Sequence, residues 1–292
     1  MKVEKIILII VVAVLVGVLG FLGFNYIGTL TDKKENPVVS MEIEGYGTVE
    51  IELYPDMAPN TVKNFIKLAE NGFYDGKTFS EIGDSFVKGG FDLTETSKES
   101  EETAVVNDSE GAEEETIVGP KLSDIKDLDD GEEDEAYSIK GEFVDNDFDK
   151  NTLSHKRGVI SMARKDTKEY SSEIAMMQLL GDDYKSTLDM ILDNMNDSAA
   201  SGFFILTKDN TSYNGTYAAF GEVISGMDVI DKISAIETKE DESGKMVPVS
   251  QPVIKSVKVD TKGVDYGTPE TETAFDFDSI FNMFLSNFTS QN

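Results

Sequence analysis

Ile51-Glu52-Leu53-Tyr54-Pro55-Asp56-Met57-Ala58-Pro59-Asn60-Thr61-Val62-Lys63-Asn64-Phe65 changes its hydrophobic period in the middle. Val49, Ile51 and Leu53 alternate with polar residues, the period-2 pattern of a half-buried strand. Val62, Phe65, Ile66 and Leu68 recur at helical spacing. Ala58-Pro59-Asn60-Thr61 opens that helix and Asn71-Gly72 closes it. Upstream, Val39, Met41 and Ile43 alternate in turn, and Gly45-Tyr46-Gly47 supplies the turn. Residues 38–54 are therefore read as two paired strands that feed a helix.

The same reading runs outward. Short strands are expected at Thr78–Ile82, Phe86–Lys88, Gly158–Ala163, Gly202–Leu206, Ala219–Ile224 and Val253–Val259. A short helix is expected over Asp228–Ile236, with Val229, Ile230, Ile233 and Ile236 on one face. Many short strands and two short helices predict a mainly β fold, a closed barrel with two capping helices. Two segments interrupt it. Residues 91–136 hold 18 acidic residues against 3 Lys, and such a stretch repels itself and buries little, so it is expected to be disordered or loosely held. Residues 165–197 carry Ile174, Met177, Leu180, Leu188, Ile191, Leu192 and Met195 at helical spacing. The tail, 261–292, ends with Phe277, Phe281, Phe284 and Phe288 on one helical face; it is either a disordered tail with a weak amphipathic end or docks on the barrel or membrane surface.

Composition narrows the function. The 292 residues include 56 acidic and 26 basic side chains, one His and no Cys, for a net charge of −30. Disulfides, thiol nucleophiles and thiolate zinc sites are excluded, as is any site that needs two imidazoles. Nucleic-acid binding is disfavoured because phosphates would be repelled. Residues 6–24 carry no charged or strongly polar side chain, a length that nearly spans a bilayer as a helix. Lys2 and Lys5 precede the run. The rival reading, a cleaved signal peptide, wants small residues at its exit, and the run leaves instead through Phe24-Asn25-Tyr26-Ile27-Gly28. Residues 1–28 are thus taken as a transmembrane helix and anchor, 29–37 as a tether and 38–260 as one domain outside the cytoplasm at the cell membrane.

Together, these segments resemble the cyclophilin-type peptidyl-prolyl cis-trans isomerases. Ile51–Phe65 carries the resemblance, with Gly72-Phe73-Tyr74-Asp75-Gly76-Lys77-Thr78-Phe79 and Tyr137-Ser138-Ile139-Lys140-Gly141-Glu142-Phe143. Arg157–Arg164, Phe203-Phe204-Ile205 and Tyr217–Ile230 continue it in the same order. The resemblance implies an eight-stranded antiparallel barrel capped by two helices, with 91–136 and 165–197 as insertions near the binding groove. It implies no cofactor and no metal. Its partners would be proline-containing polypeptides, here exported client proteins.

Prolyl isomerisation breaks no bond. Its barrier, roughly 20 kcal/mol, comes from amide resonance, so a catalyst must hold the proline in an apolar pocket and favour the twisted amide. Members of the family place an Arg for this, and a preorganised charged donor aimed at developing charge is a large catalytic effect. Glu81, in Phe79-Ser80-Glu81-Ile82, stands at the expected Arg, and an ionised carboxylate donates nothing. Lys88 and Gly202 stand at expected Gln positions, Ser212 at one often aromatic, and Tyr217 at one often His or Tyr. Phe204 matches the pocket Phe, Phe86 a second pocket residue, and Ala163 and Tyr213 the walls. Lys88 is expected to pair with Glu81. Arg164 holds a position where Arg accompanies the catalytic Arg in the family, and His155 lies in a structural turn. Met176, Met177, Met190 and Met195 form either an adaptable client surface or the inner side of packed helices. The reading is a weak isomerase that assists exported proteins. The alternative is a non-catalytic peptide- or protein-binding module at the membrane surface.

Overall fold

A computed structural model describes residues 35–91, 120–126, 128, 135–167, 170–241 and 244–290. Strands β1 (Val38–Ile43) and β2 (Gly47–Leu53) pair antiparallel, with Val39 opposite Ile51 and Met41 opposite Val49. Their alternating apolar side chains are all buried. Helix α1 (Pro59–Glu70) follows, then β3 (Thr78–Ile82) and β4 (Phe86–Phe91). Next come β5 (Tyr137–Ser138), β6 (Val159–Met162), α2 (Ser171–Leu179), α3 (Asp182–Asn196) and β7 (Phe203–Leu206). The chain ends through β8 (Ala219–Ser225), α4 (Met227–Ser234), β9 (Thr238–Glu240), β10 (Met246–Pro248), β11 (Ile254–Asp260), β12 (Glu272–Thr273) and α5 (Phe277–Ser290).

Eight strands form one antiparallel sheet in the order β11-β1-β2-β8-β6-β7-β4-β3. The expected closed barrel is corrected to a curled, open half-barrel. Its edge strands share no ladder; they meet at a bridge between Thr78 and Val253, flanked by bonds from Phe79 N–H to Pro252 and from Ile254 N–H to Lys77. Pro252 has no N–H to extend the pairing, and a register shift between Thr78 and Phe79 breaks β3 at the same place. The concave side is filled by alternate strand residues and by the apolar faces of α1 and α4. Phe65 of α1 stacks on Tyr74 at 4.9 Å and lies 5.4 Å from Phe220 and 6.0 Å from Phe203.

The first turn of α1 is completed from far along the chain. Ala58, at its start, has no side chain able to cap. The N–H groups of Asn60 and Thr61 donate instead to the two carboxylate oxygens of Glu142, at 2.9 and 2.8 Å. Burial pushes the Glu142 carboxyl above its ordinary pKa, and the two helix-end N–H bonds pull it back part of the way. Asn151 fixes the backbone of the same residue by donating to the Glu142 carbonyl at 2.8 Å and to Ala219 at 2.9 Å.

A second apolar cluster joins segments distant in sequence. Helices α2 and α3 pack with α5, so 165–197 is helical as expected and the Phe-rich face of the tail docks on it. Tyr170 stacks on Phe277 and Phe281 at 5.7 and 5.0 Å, and Tyr184 meets Phe284 edge-on at 5.1 Å. Met177 and Met195 are buried in this cluster, whereas Met190 is exposed. The tail reaches it along α1: Asn60 and Glu270 exchange two bonds, and β12 pairs with β5. Within 91–136, residues 120–126 are held on the domain, with a short 3₁₀ turn at Leu122–Asp124 and Ile125 fully buried. Most of the remaining acidic stretch, and the 6–24 run, lie outside the described residues. Among the described residues no helix is long and apolar enough to cross a membrane.

The cap makes a stability prediction. Glu142→Ala leaves two helix-end donors without partners in a buried place and should cost about 1–3 kcal/mol. Urea unfolding of the full chain, followed by far-ultraviolet circular dichroism, measures it; a change below ~0.5 kcal/mol would show that water caps α1 equally well.

Candidate functional site

Strand register assembles the site. Glu81 of β3 lies opposite Lys88 of β4, Lys88 opposite Phe204 of β7, and Phe204 opposite Ser161 of β6. Residues directly opposite in antiparallel strands point to the same face, so these four form one row across the sheet. Phe203 and Ile205, on the other face of β7, are fully buried in the main core. Phe204 and Leu206 belong to a separate cluster on the row's face, with Val159, Ala163 and Ala219.

Aromatic rings surround Phe204. Phe86 meets it edge-on at 5.7 Å, Tyr213 at 5.5 Å and Tyr217 at 5.3 Å. Tyr213 and Tyr217 touch each other at 5.2 Å. Tyr213 ends a 3₁₀ turn (Thr211–Tyr213) that Asn210 caps by accepting from the Ser212 N–H. Tyr217 donates its hydroxyl to Asp166 at 2.7 Å, and burial together with that carboxylate holds the phenol well above its ordinary pKa. Phe86, Ala163, Phe204, Tyr213 and Tyr217, expected from the sequence as a pocket, are thus in one cluster. Ser212, at the position where the resemblance expects an aromatic, is exposed.

The polar end of the row carries an ion pair. Lys88 Nζ stands 3.4 Å from Glu81, and each side chain is only 19% exposed. The ammonium also lies 5.4 Å from the ring centre of Phe91.

Phe91 is a site residue that the sequence reading did not single out. A Cβ on Gly202 would overlap the Phe91 ring, so the ring occupies the place of any side chain at 202. Gly202, expected as a substrate contact, is buried beneath it. Gly90 has φ +89°, a left-handed turn that breaks the alternation of β4 just before Phe91 and so hides its facing from pattern reading. The signal that was available is Gly202 itself, the smallest residue in front of a fully apolar strand.

His155 supports the floor. Its ring lies 6.3 Å from Phe204 and nearly parallel to it, at 17°. Nδ1 is 3.1 Å from the Asn214 side-chain oxygen, which also accepts the His155 backbone N–H, and Nε2 is 2.7 Å from the Ser161 hydroxyl. An amide oxygen only accepts, so this network assigns the proton to Nδ1 and leaves Nε2 accepting from Ser161. Burial pushes the imidazole pKa below its ordinary value, partly offset by the bond to Asn214. Among the described residues no cluster of three or more His, Asp or Glu side chains is placed to hold a metal ion.

The family model described as cyclophilin type peptidyl-prolyl cis-trans isomerase/CLD matches residues 38–177 and 183–259. A peptidyl-prolyl cis-trans isomerase of Acinetobacter baylyi is 29% identical over 237 residues, covering 79% of this chain and 88% of the relative. Peptidyl-prolyl cis-trans isomerase B of Bacillus subtilis is 27% identical over 192 residues, covering 66% and 87%. A cyclophilin-type isomerase of Cryptosporidium parvum, crystallised in the presence of the dipeptide Ala-Pro, superposes with a TM-score of 0.44 at 19% identity, covering 75% of this chain and 96% of that one.

The buried imidazole predicts a pH effect with a definite sign. A depressed folded-state pKa means that the unfolded chain takes up the proton first as pH falls. The contribution of neutral His155 to stability is therefore complete above about pH 6.5 and is lost as pH falls from there through the folded pKa. His155 is the sole histidine, so its NMR titration in the full chain is unambiguous. A midpoint below about 6.5 is expected, and one at or above that value would contradict the buried, neutral assignment.

Proposed function

The chain belongs to the cyclophilin-type peptidyl-prolyl cis-trans isomerase family, and from that premise we propose that it binds X-Pro segments of polypeptides against Phe204 and speeds their isomerisation weakly. The observation that carries this reading is the contact of Phe86, Tyr213 and Tyr217 with Phe204, on the same sheet face as Lys88 and Glu81. A proline ring is compact and apolar and packs against aromatic faces and edges of this kind. Weak catalysis follows from the other half of the row. The twisted amide wants a donor at its nitrogen, and the position next to Lys88 holds a carboxylate that neutralises the neighbouring ammonium.

A second reading, a binding module without catalysis, is favoured by that same ion pair. The two differ only in whether bound X-Pro exchanges faster. The segments 91–136 and 165–197 are taken as insertions beside the groove. The apolar run 6–24 holds the domain at the cell membrane, on the side outside the cytoplasm, so the clients are exported proteins.

Two-dimensional exchange NMR on X-Pro peptides, with the full chain at catalytic amounts, tests the reading. Expected are measurable binding, slow catalysed exchange, and loss of both in Phe204→Ala. Glu81→Arg should be made together with Lys88→Gln, because two cations facing across strands repel. That double variant should raise the catalysed rate by roughly 10²–10³, the usual worth of one preorganised donor. Fast exchange by the unmodified chain would end the weak-catalyst reading, and absence of peptide binding would end the pocket reading. Membrane placement has its own test: removing residues 6–24 should move the chain from the membrane to the soluble fraction, and retention in the membrane fraction would refute the anchor.

A further inference from the structure

Arg164 follows directly on Ala163 of the pocket wall. Its guanidinium is held from several sides. Nε donates to the Thr216 carbonyl at 3.0 Å and Nη1 to the Lys165 carbonyl at 2.9 Å. Cζ lies 4.9 Å from the Tyr217 ring centre and 5.3 Å from that of Phe143. Tyr217 is the ring that touches Phe204, so the cation sits one side chain away from the pocket floor.

The backbone under this cation is also fixed. Lys165 N–H donates to the Ser198 hydroxyl at 2.8 Å, and Ser198 donates to Met195 at the end of α3. The Lys165 ammonium lies 5.7 Å from the ring centre of Tyr170, which stacks on Phe277 and Phe281 of α5. The rim is therefore tied to the helical cluster that the C-terminal helix completes.

Charge distinguishes Arg164 from the other cation of the face. Lys88 is paired with Glu81. Arg164 makes no ion pair among the described residues, and the Asp166 carboxylate accepts from the Tyr217 and Thr167 hydroxyls. Its two fixing bonds go to neutral carbonyls, so the full positive charge remains, and Nη2 has no hydrogen-bond partner among the described residues. A planar fork held by two carbonyls and stacked on aromatic faces loses little entropy when it takes one further acceptor.

We propose that Arg164 is the substrate-binding donor of this groove, and that its free Nη2 edge binds a backbone carbonyl of the peptide whose proline rests on Phe204. The inference rests on the reading of the Phe204 cluster as an X-Pro site. It adds a residue just past the end of β6, which β7 separates from β4 and its Lys88, and it requires no charged side chain on the peptide.

The test uses the full chain and an uncharged probe, acetyl-Ala-Ala-Pro-Ala-amide, with binding followed by peptide NMR titration. Arg164→Gln should weaken binding roughly tenfold or more, the worth of a hydrogen bond from a charged donor, and should slow catalysed exchange in step. Arg164→Lys should not restore either, because an ammonium cannot hold both carbonyls and stack on two rings. The His155 imidazole resonance, beside Phe204, reports whether the pocket is still built. Lost binding with that resonance unmoved supports the proposal. Lost binding with the resonance displaced makes Arg164 a structural residue and overturns it. Unchanged binding in Arg164→Gln, or full rescue by Arg164→Lys, overturns it too while leaving the pocket reading intact. Absence of binding by the unmodified chain overturns the pocket reading itself.

Discussion

The carboxylate of Glu142 is the hinge on which the arrangement turns. It accepts two N–H groups from the start of α1 across separations of 82 and 81 residues. Without it, the helix would present unsatisfied donors to the inside of the molecule. With it, α1 sits at a fixed depth and delivers Phe65 into the junction of Tyr74, Phe203 and Phe220. The same helix places Asn64, which accepts from the Tyr137 hydroxyl at 2.8 Å and donates to the Ala200 carbonyl at 2.6 Å. Tyr74 donates to the next carbonyl, Ser201, at 3.0 Å. The lead-in to β7 is thus set by α1, and β7 sets the face on which Phe204 stands. A carboxylate that is costly to bury is retained because several elements share it.

Much of the fold was legible because local pattern and tertiary role agree. The alternation in β1 and β2 matches their one buried face, the unbroken apolar run of β7 matches its burial on both faces, and the spacing in α1 matches its core face. The open edge was not legible. It depends on Val253 meeting Thr78 far along the chain, beside Pro252, where a missing donor and a register shift coincide. Nor was the docking of α5 decided by its own Phe spacing, since the partners Tyr170, Ile191 and Met195 lie about a hundred residues away. A short amphipathic helix is marginal alone, and only the facing surface tells whether it folds.

At the site, sequence reasoning served the apolar half and the Lys88–Glu81 pair, and failed at the packing around Gly202 and the setting of Arg164. Phe204, Tyr213 and Tyr217 are large, apolar enough to be buried, and fixed in position by strand register and a capped turn. Which neighbour fills the space over Gly202 is a question of shape, answered by a residue on another strand beyond a left-handed glycine. That Arg164 is fixed through neutral carbonyls is likewise invisible in sequence, because it depends on where the fold brings the Thr216 and Lys165 carbonyls.

The polar half is better understood as one coupled unit than as several separate substitutions. Gly202 leaves room for the Phe91 ring, the Phe91 ring lies under the Lys88 ammonium, and Lys88 holds Glu81. A larger side chain at 202 would strike Phe91 and push it off, overpacking of a kind that costs about 1–3 kcal/mol. Displacing Phe91 would in turn remove a ring face from a half-buried ammonium. Replacing Glu81 alone would leave that ammonium in a half-buried place without its carboxylate. Each single change toward a different polar set is therefore opposed by the residues that remain, and contacts of this closeness do not combine additively. The ion pair is held by packing on one side and by charge on the other. That mutual dependence gives a physical reason for the aromatic cluster around Phe204 to stand beside a polar row of such different chemistry.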